Sequence, residues 1–371
     1  MPDFPIPVTV LTGFLGSGKT TLLNRLLKDP AMADTAVVIN ELGDVSIDHL
    51  LVETASDGVI ELAGGCLCCT VRGELVDTLA GLVDGAQTGR IEKLKRVVVE
   101  TTGLADPAPV LQSIMGHPAL LAAFRLDGVV CTVDAVNGAQ TLARHAEASR
   151  QVAVADRIVL TKTDLPEAAE SRAAVLEVVR RLNPGATLLD AAAGEASAAA
   201  LLQAGLYDPS TKTADVAGWL RDAAAGGHEH AHHDHTHHHR GHDHHGHGHA
   251  IRPLSLAFPG PLPFSAVETF LDLLMSAHAD AILRIKGVIE LADRPDRPLV
   301  IHGAGRLIHP PAFLPRWPDG TRGARIVVIG DDLPEDYVRR LFAAVTNTGG
   351  AGVPDRQALA DNPLAIPGLS R

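Results

Sequence analysis

The sequence predicts a doubly wound α/β domain built on a phosphate-binding loop, then a histidine-rich linker without fixed structure, then a small α+β domain. Three observations predict this order. From residue 7 to about 205, short Val/Ile-rich runs alternate with longer segments of helical apolar spacing, the signature of a parallel sheet with crossover helices. Residues 228 to 249 hold thirteen histidines in twenty-two positions and show no hydrophobic periodicity. After them, apolar runs of both strand and helix type resume. The expected partition is a nucleotide domain over 1–210, a helix plus His-rich linker over 211–250, an α+β domain over 251–346 and a flexible Gly/Pro-rich tail over 347–371.

In the first domain, strands are expected at Val8 to Leu11, Ala36 to Asn40, Val97 to Glu100, Gly128 to Asp134 and Arg157 to Thr161, where β-branched residues cluster. Thr20 to Leu27, Val71 to Leu82 and Ala168 to Leu182 carry the 3.6-residue apolar period of helices. In the last domain, Pro253 to Phe258, Ala266 to Met275, Ala281 to Leu291, Pro298 to His302, Ala324 to Ile329 and Glu335 to Val345 read as strands mixed with two helices.

At 371 residues and 46% apolar content, the chain can bury more than one core. A net charge of −12, aromatics at 3% and no dense Lys/Arg run leave neither a phosphate footprint nor a stacking platform, so no nucleic-acid partner is expected. Met1 to Pro7 lacks the basic and apolar regions of a secretory signal, and no apolar stretch reaches the length of a membrane span. The expected compartment is the cytoplasm, with no membrane partner. In that reducing setting clustered cysteines are ligands or reactive thiols sooner than disulfides, while lone Cys131, in an apolar run, reads as core.

Gly13-Phe14-Leu15-Gly16-Ser17-Gly18-Lys19-Thr20 fits a phosphate loop, with the Val8-to-Leu11 run before it and apolar Leu22-Leu23 after it. Glycines at 13, 16 and 18 let backbone N–H groups turn onto phosphates at a helix N-terminus. Ser17 and Thr21 flank the cradle, Lys19 meets the β/γ charge, and the Thr20 hydroxyl ligates Mg²⁺. The next strongly apolar strand runs Val97-Val98-Val99-Glu100, so a carboxylate stands where open α/β sheets bind ligands. Glu100 is the candidate to hold Mg²⁺ through water or orient the attacking water, and Gly103 the candidate γ-phosphate sensor.

Thr161-Lys162-Thr163-Asp164 closes another strand and resembles the guanine-specificity box of G-domains, with Thr161 where Asn is usual. The Asp164 carboxylate can accept two hydrogen bonds from guanine that adenine cannot offer, which favours GTP. Thr161 lacks the amide that normally braces such a site, which predicts looser purine selectivity. The plain alternative is a strand-to-helix turn capped by Asp164.

Three of the four cysteines fall in Gly64-Gly65-Cys66-Leu67-Cys68-Cys69. Three thiolates suit Zn²⁺, Cu(I) or Co²⁺, and an incomplete shell permits release; a redox pair or inert packed thiols are the alternatives. With Asn40-Glu41-Leu42-Gly43-Asp44 and Glu100-Thr101-Thr102-Gly103-Leu104-Ala105-Asp106-Pro107, these motifs resemble, in order and spacing over residues 6 to 205, the CobW-like metallochaperone GTPases, relatives of HypB and UreG. The layout of 250 to 346 is similar to that family's C-terminal domain.

The resemblance implies GTP and Mg²⁺ as cofactors and a transition metal, Zn²⁺ before Co²⁺, at Cys66, Cys68 and Cys69. It implies a nucleotide-sensing switch over Asn40 to Asp48, with Glu41 catalytic and Glu41, Asp44 and Asp48 available to Mg²⁺ or the second metal. Ile39 stands where some relatives carry a carboxylate, which argues against an accessory site using it. The implied partners are a metal-dependent client protein and a nucleotide- or metal-dependent homodimer.

Histidines of the linker, among them His232, His233, His235, His237, His238 and His239, can capture Zn²⁺, Ni²⁺ or Co²⁺ with little selectivity, although a merely solvated linker has the same composition. Isolated His49, His117, His145, His278, His302 and His309 read as surface or core residues, with His302 the one to test as a ligand. The expected activity is slow GTP hydrolysis coupled to metal delivery. Its rivals are cobalt handling for cobalamin synthesis, a passive His-rich store and a thiol-switched NTPase.

Overall fold

A computed structural model of the chain describes residues 5–42, 59–64, 70–202, 251–317 and 322–346. Seven parallel strands form the first sheet in the order β3-β2-β4-β1-β5-β6-β7. They are β1 (Ile6–Gly13), β2 (Thr35–Leu42), β3 (Val59–Gly64), β4 (Arg96–Thr101), β5 (Phe124–Asp134), β6 (Arg157–Thr161) and β7 (Thr187–Asp190). Helices α1 (Lys19–Leu27), α2 (Thr70–Gln87), α3 (Ala108–Gly116), α4 (Pro118–Leu121), α5 (Gly138–Arg144), α6 (Ala146–Val154), α7 (Ala168–Leu182) and α8 (Ala198–Leu201) connect or flank them.

Side-chain alternation along the strands explains the two layers. Val8, Val10, Val97, Val99, Val129 and Cys131 face a core shared with α2, α3, α6 and α7. Leu11, Val37, Ile39, Val98, Val130 and Val159 face the other way, onto Leu22, Leu23 and Leu26 of α1 and Leu201 of α8. A strand covered on both faces carries apolar residues at consecutive positions, which is why these runs show no polar alternation.

All five expected strands and three expected helices are present, several longer than expected at their ends. Strands β3 and β7 and the short helices between β4 and β6 are additions. The His-rich linker and the tail lie outside the described residues.

The second sheet is antiparallel in the order β11-β10-β9-β13-β8, with β12 paired to β10. Its strands are β8 (Ile251–Phe258), β9 (Ile282–Leu291), β10 (Arg294–Ala304), β11 (Leu307–Ile308), β12 (Ala312–Phe313) and β13 (Ala324–Asp331), with helices α9 (Phe264–His278) and α10 (Glu335–Thr346). In β13, Ile326 and Val328 pack under Phe270 and Phe342 of those helices. Val327 and Ile329 point oppositely into the core of the first sheet's helices. One face of this sheet therefore continues the first core. Among the described residues no helix is long and apolar enough to cross a membrane.

Charge is also buried at this junction. Asp156, between α6 and β6, accepts Val129 N–H at 2.8 Å, meets Arg284 Nη2 at 3.1 Å and Lys286 Nζ at 2.5 Å. Burial alone would raise the Asp156 pKa, and the charges of Arg284 and Lys286 more than reverse that, holding it far below the carboxylate range. His302 is buried beside them. Burial, then the Arg284 charge, press its pKa well below the ordinary value, against the opposing pull of Asp156, with Lys286 and His309 adding to the depression.

A ring held neutral among cations is a poor place for a dication, so His302 is a core residue of the junction. Its folded pKa lies below its unfolded one, so as pH falls from about 6.5 the unfolded chain takes up the proton first and stability declines. Replacing His302 with Gln is therefore expected to flatten the loss of thermal stability between about pH 7 and about pH 5, by at most about 1.4 kcal/mol per pH unit. Equal pH slopes in melting scans of the two proteins would contradict this.

Candidate functional site

Carboxyl ends of the parallel strands build the site. After β1 the chain turns through Gly13 at φ +144° and Gly18 at φ +91°, backbone conformations that favour glycine. A Cβ on Gly13 would lie 2.2 Å from Thr132 Oγ1 and 2.7 Å from the Thr132 carbonyl, so the loop can approach β5 only without a side chain. Gly18 is the N-cap of α1 and supplies no side-chain cap, leaving the first N–H groups of the helix directed at the loop's mouth. Lys19 is buried, and its ammonium donates to the carbonyls of Gly13 at 2.8 Å and Phe14 at 3.4 Å. Thr20 is half-buried and Thr21 exposed in the first helical turn.

Threonines at four strand ends tie this loop down. Ser17 Oγ and Thr132 Oγ1 are 2.6 Å apart, Thr132 Oγ1 donates to Thr12 O at 3.4 Å, and Thr101 Oγ1 donates to Thr12 Oγ1 at 2.8 Å. Thr161 Oγ1 donates to Ser17 O at 2.6 Å. Thr161 has no side-chain amide to offer the base site, but its hydroxyl ties β6 to the phosphate loop. Gly18 stands behind this contact, with a built Cβ 3.3 Å from the Thr161 side chain. One neutral hydrogen bond is worth about 1 kcal/mol, so Thr161→Val is expected to weaken nucleotide binding by about three- to tenfold. Titration with a fluorescent nucleotide measures it.

Glu100 is buried one residue from the end of β4, in register with Leu11 of β1 and Ile39 of β2. Gly103 follows in the adjoining loop, where a Cβ would fall 2.7 Å from the Leu15 amide nitrogen. That loop touches the phosphate loop directly.

The other flank is equally fixed. Lys162, at φ +57°, reaches Asp134 Oδ2 at 2.7 Å. Asp134 also accepts Val136 N–H at 2.7 Å and two bonds from Asn137 at 3.2 Å. Burial would raise the Asp134 pKa; the Lys162 ammonium and these donors outweigh it and lower the value. Thr163 Oγ1 donates to Asp190 Oδ1 at 2.6 Å, and Asp190 accepts the amides of Ala192 and Ala193, so the loops after β6 and β7 are joined. Asp164 is exposed, and α7 is capped at Glu167 rather than by Asp164, which removes helix capping as the reason for that carboxylate. A cleft of about 220 Å³ lies beside the phosphate loop, lined by Phe14, Ser17, Thr132, Asp134, Asn137 and Lys162.

The structure therefore brings Gly13, Gly16, Ser17, Gly18, Lys19, Thr20, Glu100, Gly103, Thr161 and Lys162 to one edge of the sheet. Thr12, Thr101, Thr132, Asp134 and Asp190 join them without having been singled out; their only sequence signal is a polar residue closing an apolar strand. Glu41 is described as part of strand β2 only. Asp44, Asp48, Cys66, Cys68, Cys69 and the six linker histidines lie outside the described residues. The strands that lead to them are adjacent, however: Leu42 at the end of β2 pairs with Gly64 at the end of β3.

Three of the isolated histidines have side-chain neighbours, and His49 lies outside the described residues. His145 stacks on Phe14 at 4.5 Å, His278 meets the Tyr337 edge at 4.8 Å, and His309 Nδ1 lies 3.1 Å from the Pro310 carbonyl. Cys131 is buried in the core, its thiol pKa pushed up to about 12 by burial, as an inert thiol requires.

Two family models match this chain, the CobW/HypB/UreG nucleotide-binding domain over residues 7–190 and the cobalamin synthesis protein cobW C-terminal domain over residues 251–346. The zinc chaperone YjiA of Escherichia coli is 33% identical over 341 residues, covering 92% of this chain and 99% of that one. The zinc chaperone CobW of a Sinorhizobium species is 32% identical over 372 residues, covering 92% and 97%. Among solved structures, zinc-bound YjiA GTPase aligns with a TM-score of 0.63 at 28% identity, over 92% of this chain and 99% of that chain.

Proposed function

This chain belongs to the CobW/HypB/UreG family of nucleotide-binding proteins, and from that premise we propose that it is a zinc-handling GTPase that loads Zn²⁺ at Cys66, Cys68 and Cys69 and delivers it to a client protein. One observation carries the proposal. The phosphate loop, Glu100, the Thr161-to-Asp164 loop and the paired ends of β2 and β3 all lie at the same carboxyl edge, and in sequence Asp44 follows β2, and Cys66 follows β3, within two residues.

GTP and water become GDP and inorganic phosphate. Lys19 and the N–H groups at the start of α1 meet the negative charge of the phosphates, while Glu100 orients the attacking water and Glu41 assists from the neighbouring strand. Gly103, held against Leu15, lets its loop follow the terminal phosphate. Lys162 and Asp164 receive the guanine. Mg²⁺ would suit the hard oxygen donors at this edge of the sheet, the hydroxyl of half-buried Thr20 and the carboxylate of buried Glu100, and Asp44 would be a further ligand. When bound it neutralises charge between the phosphates.

Zn²⁺ is the cargo. Three thiols give up their protons to bind it, and the open fourth position allows transfer. The names of the relatives favour zinc over cobalt. Because β2 and β3 are paired, a change in the segment after β2 on hydrolysis reaches the cysteine segment after β3, and metal must in turn alter nucleotide affinity or turnover. Replacing Cys66, Cys68 and Cys69 together with Ser is expected to lower Zn²⁺ affinity by at least about 100-fold and to abolish zinc-stimulated hydrolysis, leaving basal GTP binding intact. Competitive titration of Zn²⁺ against Co²⁺ with GTP, GDP and no nucleotide reads both. A triple variant with native zinc affinity and native zinc-stimulated turnover would sink the proposal.

A further inference from the structure

We infer that Arg150 and Gln151, neighbours on α6, are positioning residues that hold the Gly103-to-Asp106 loop against the phosphate loop and make its placement depend on docking of the C-terminal sheet. The inference rests on the reading that this loop meets the terminal phosphate.

Gln151 is fully buried, and its Nε2 donates to Gly103 O at 3.2 Å and Ala105 O at 3.0 Å. With Leu15 closing the other side, the loop is clamped between α6 and the phosphate loop. One residue earlier, Arg150 spreads its guanidinium over two carboxylates from different domains. Nη1 lies 3.5 Å from Asp106 in the loop, and Nη2 donates at 2.8 Å to Asp331, the buried last residue of β13. A charged fork of fixed shape transmits position better than a flexible ammonium.

A second path runs in parallel. Asp106 Oδ1 accepts the Ala108 N–H at the start of α3, and α3 then rests on the β10–β11 turn. There a Cβ on Gly116 would lie 2.4 Å from Leu307 Cδ1, and one on Gly305 would lie 2.5 Å from Gln112 Nε2. Loop, helix and C-terminal sheet move as linked parts, and the coupling must run in both directions.

The test uses the full chain carrying Asp331→Asn, with Arg150→Lys as the conservative variant and Asp280→Asn as control, since Asp280 pairs only at the surface with Arg306. Asp331→Asn is expected to lower kcat for GTP about fivefold or more while KM stays within about twofold, because the phosphate loop and base loop are untouched. Arg150→Lys keeps part of kcat, and Asp280→Asn keeps all of it. Hydrogen exchange at the Ala105 and Ala108 amides should quicken in Asp331→Asn and not in the control. Native kcat with native exchange, or a fall in kcat matched by an equal rise in KM, overturns the inference. Should the native chain bind no GTP, the functional reading falls instead, and the exchange rates still decide whether Asp331 holds the loop.

Discussion

Lys19→Ala is expected to abolish measurable GTP hydrolysis and to weaken nucleotide binding by about 100-fold or more. Lys19 is buried inside the loop, and its ammonium is held by the carbonyls of Gly13 and Phe14. Alanine removes the buried ammonium and with it the positive charge that meets the phosphates. The fold should survive, because the loop keeps its bonds from Thr161 and Ser17 to the strand ends. A melting temperature close to native beside lost turnover would show a site effect. Turnover within about tenfold of native would remove Lys19 from the phosphate site. The same variant separates a nucleotide-driven chaperone from a passive metal store, since only the former loses zinc delivery to a client.

Much of this site is legible in the chain because its physics is local. Gly13, Gly16 and Gly18 lie between a β-branched run and an apolar helix, and spacing alone predicts the turn. Glu100 and Thr161 close strands whose apolar character is plain. Local patterns fail where strands are short or at an edge: β7 has only four residues and β3 carries Glu61 in mid-strand. The short helices from α3 to α5 lack enough turns to show a period.

What could not be read were contacts made across long stretches of chain. The Ser17–Thr132 contact spans 115 residues and Thr161–Ser17 spans 144, so nothing near Thr161 announces that its hydroxyl bonds the phosphate loop. His302 looked like a candidate ligand because its partners, Asp156 in the other domain and Arg284 and Lys286 on β9, meet it only in the folded chain.

Asp156→Ala carries the largest expected cost in stability, about 3–5 kcal/mol, because it strands the buried Arg284, the partly exposed Lys286 and an amide at once. Arg284 is 1% exposed and cannot reach water without separating the domains, whereas Lys286 keeps 13% exposure. For a chain of this size the melting temperature should fall by roughly 5 °C. The cost belongs to the orphaned charges more than to the lost pair. Asp156→Leu combined with Arg284→Met should therefore be less destabilised than Asp156→Ala alone, although Val129 N–H still loses its acceptor and Lys286 its partner. If the double variant stays well below native stability, the pair is a net source of stability. If it recovers, the buried charges serve instead to fix the orientation in which the C-terminal sheet meets α6, the helix that carries Arg150 and Gln151.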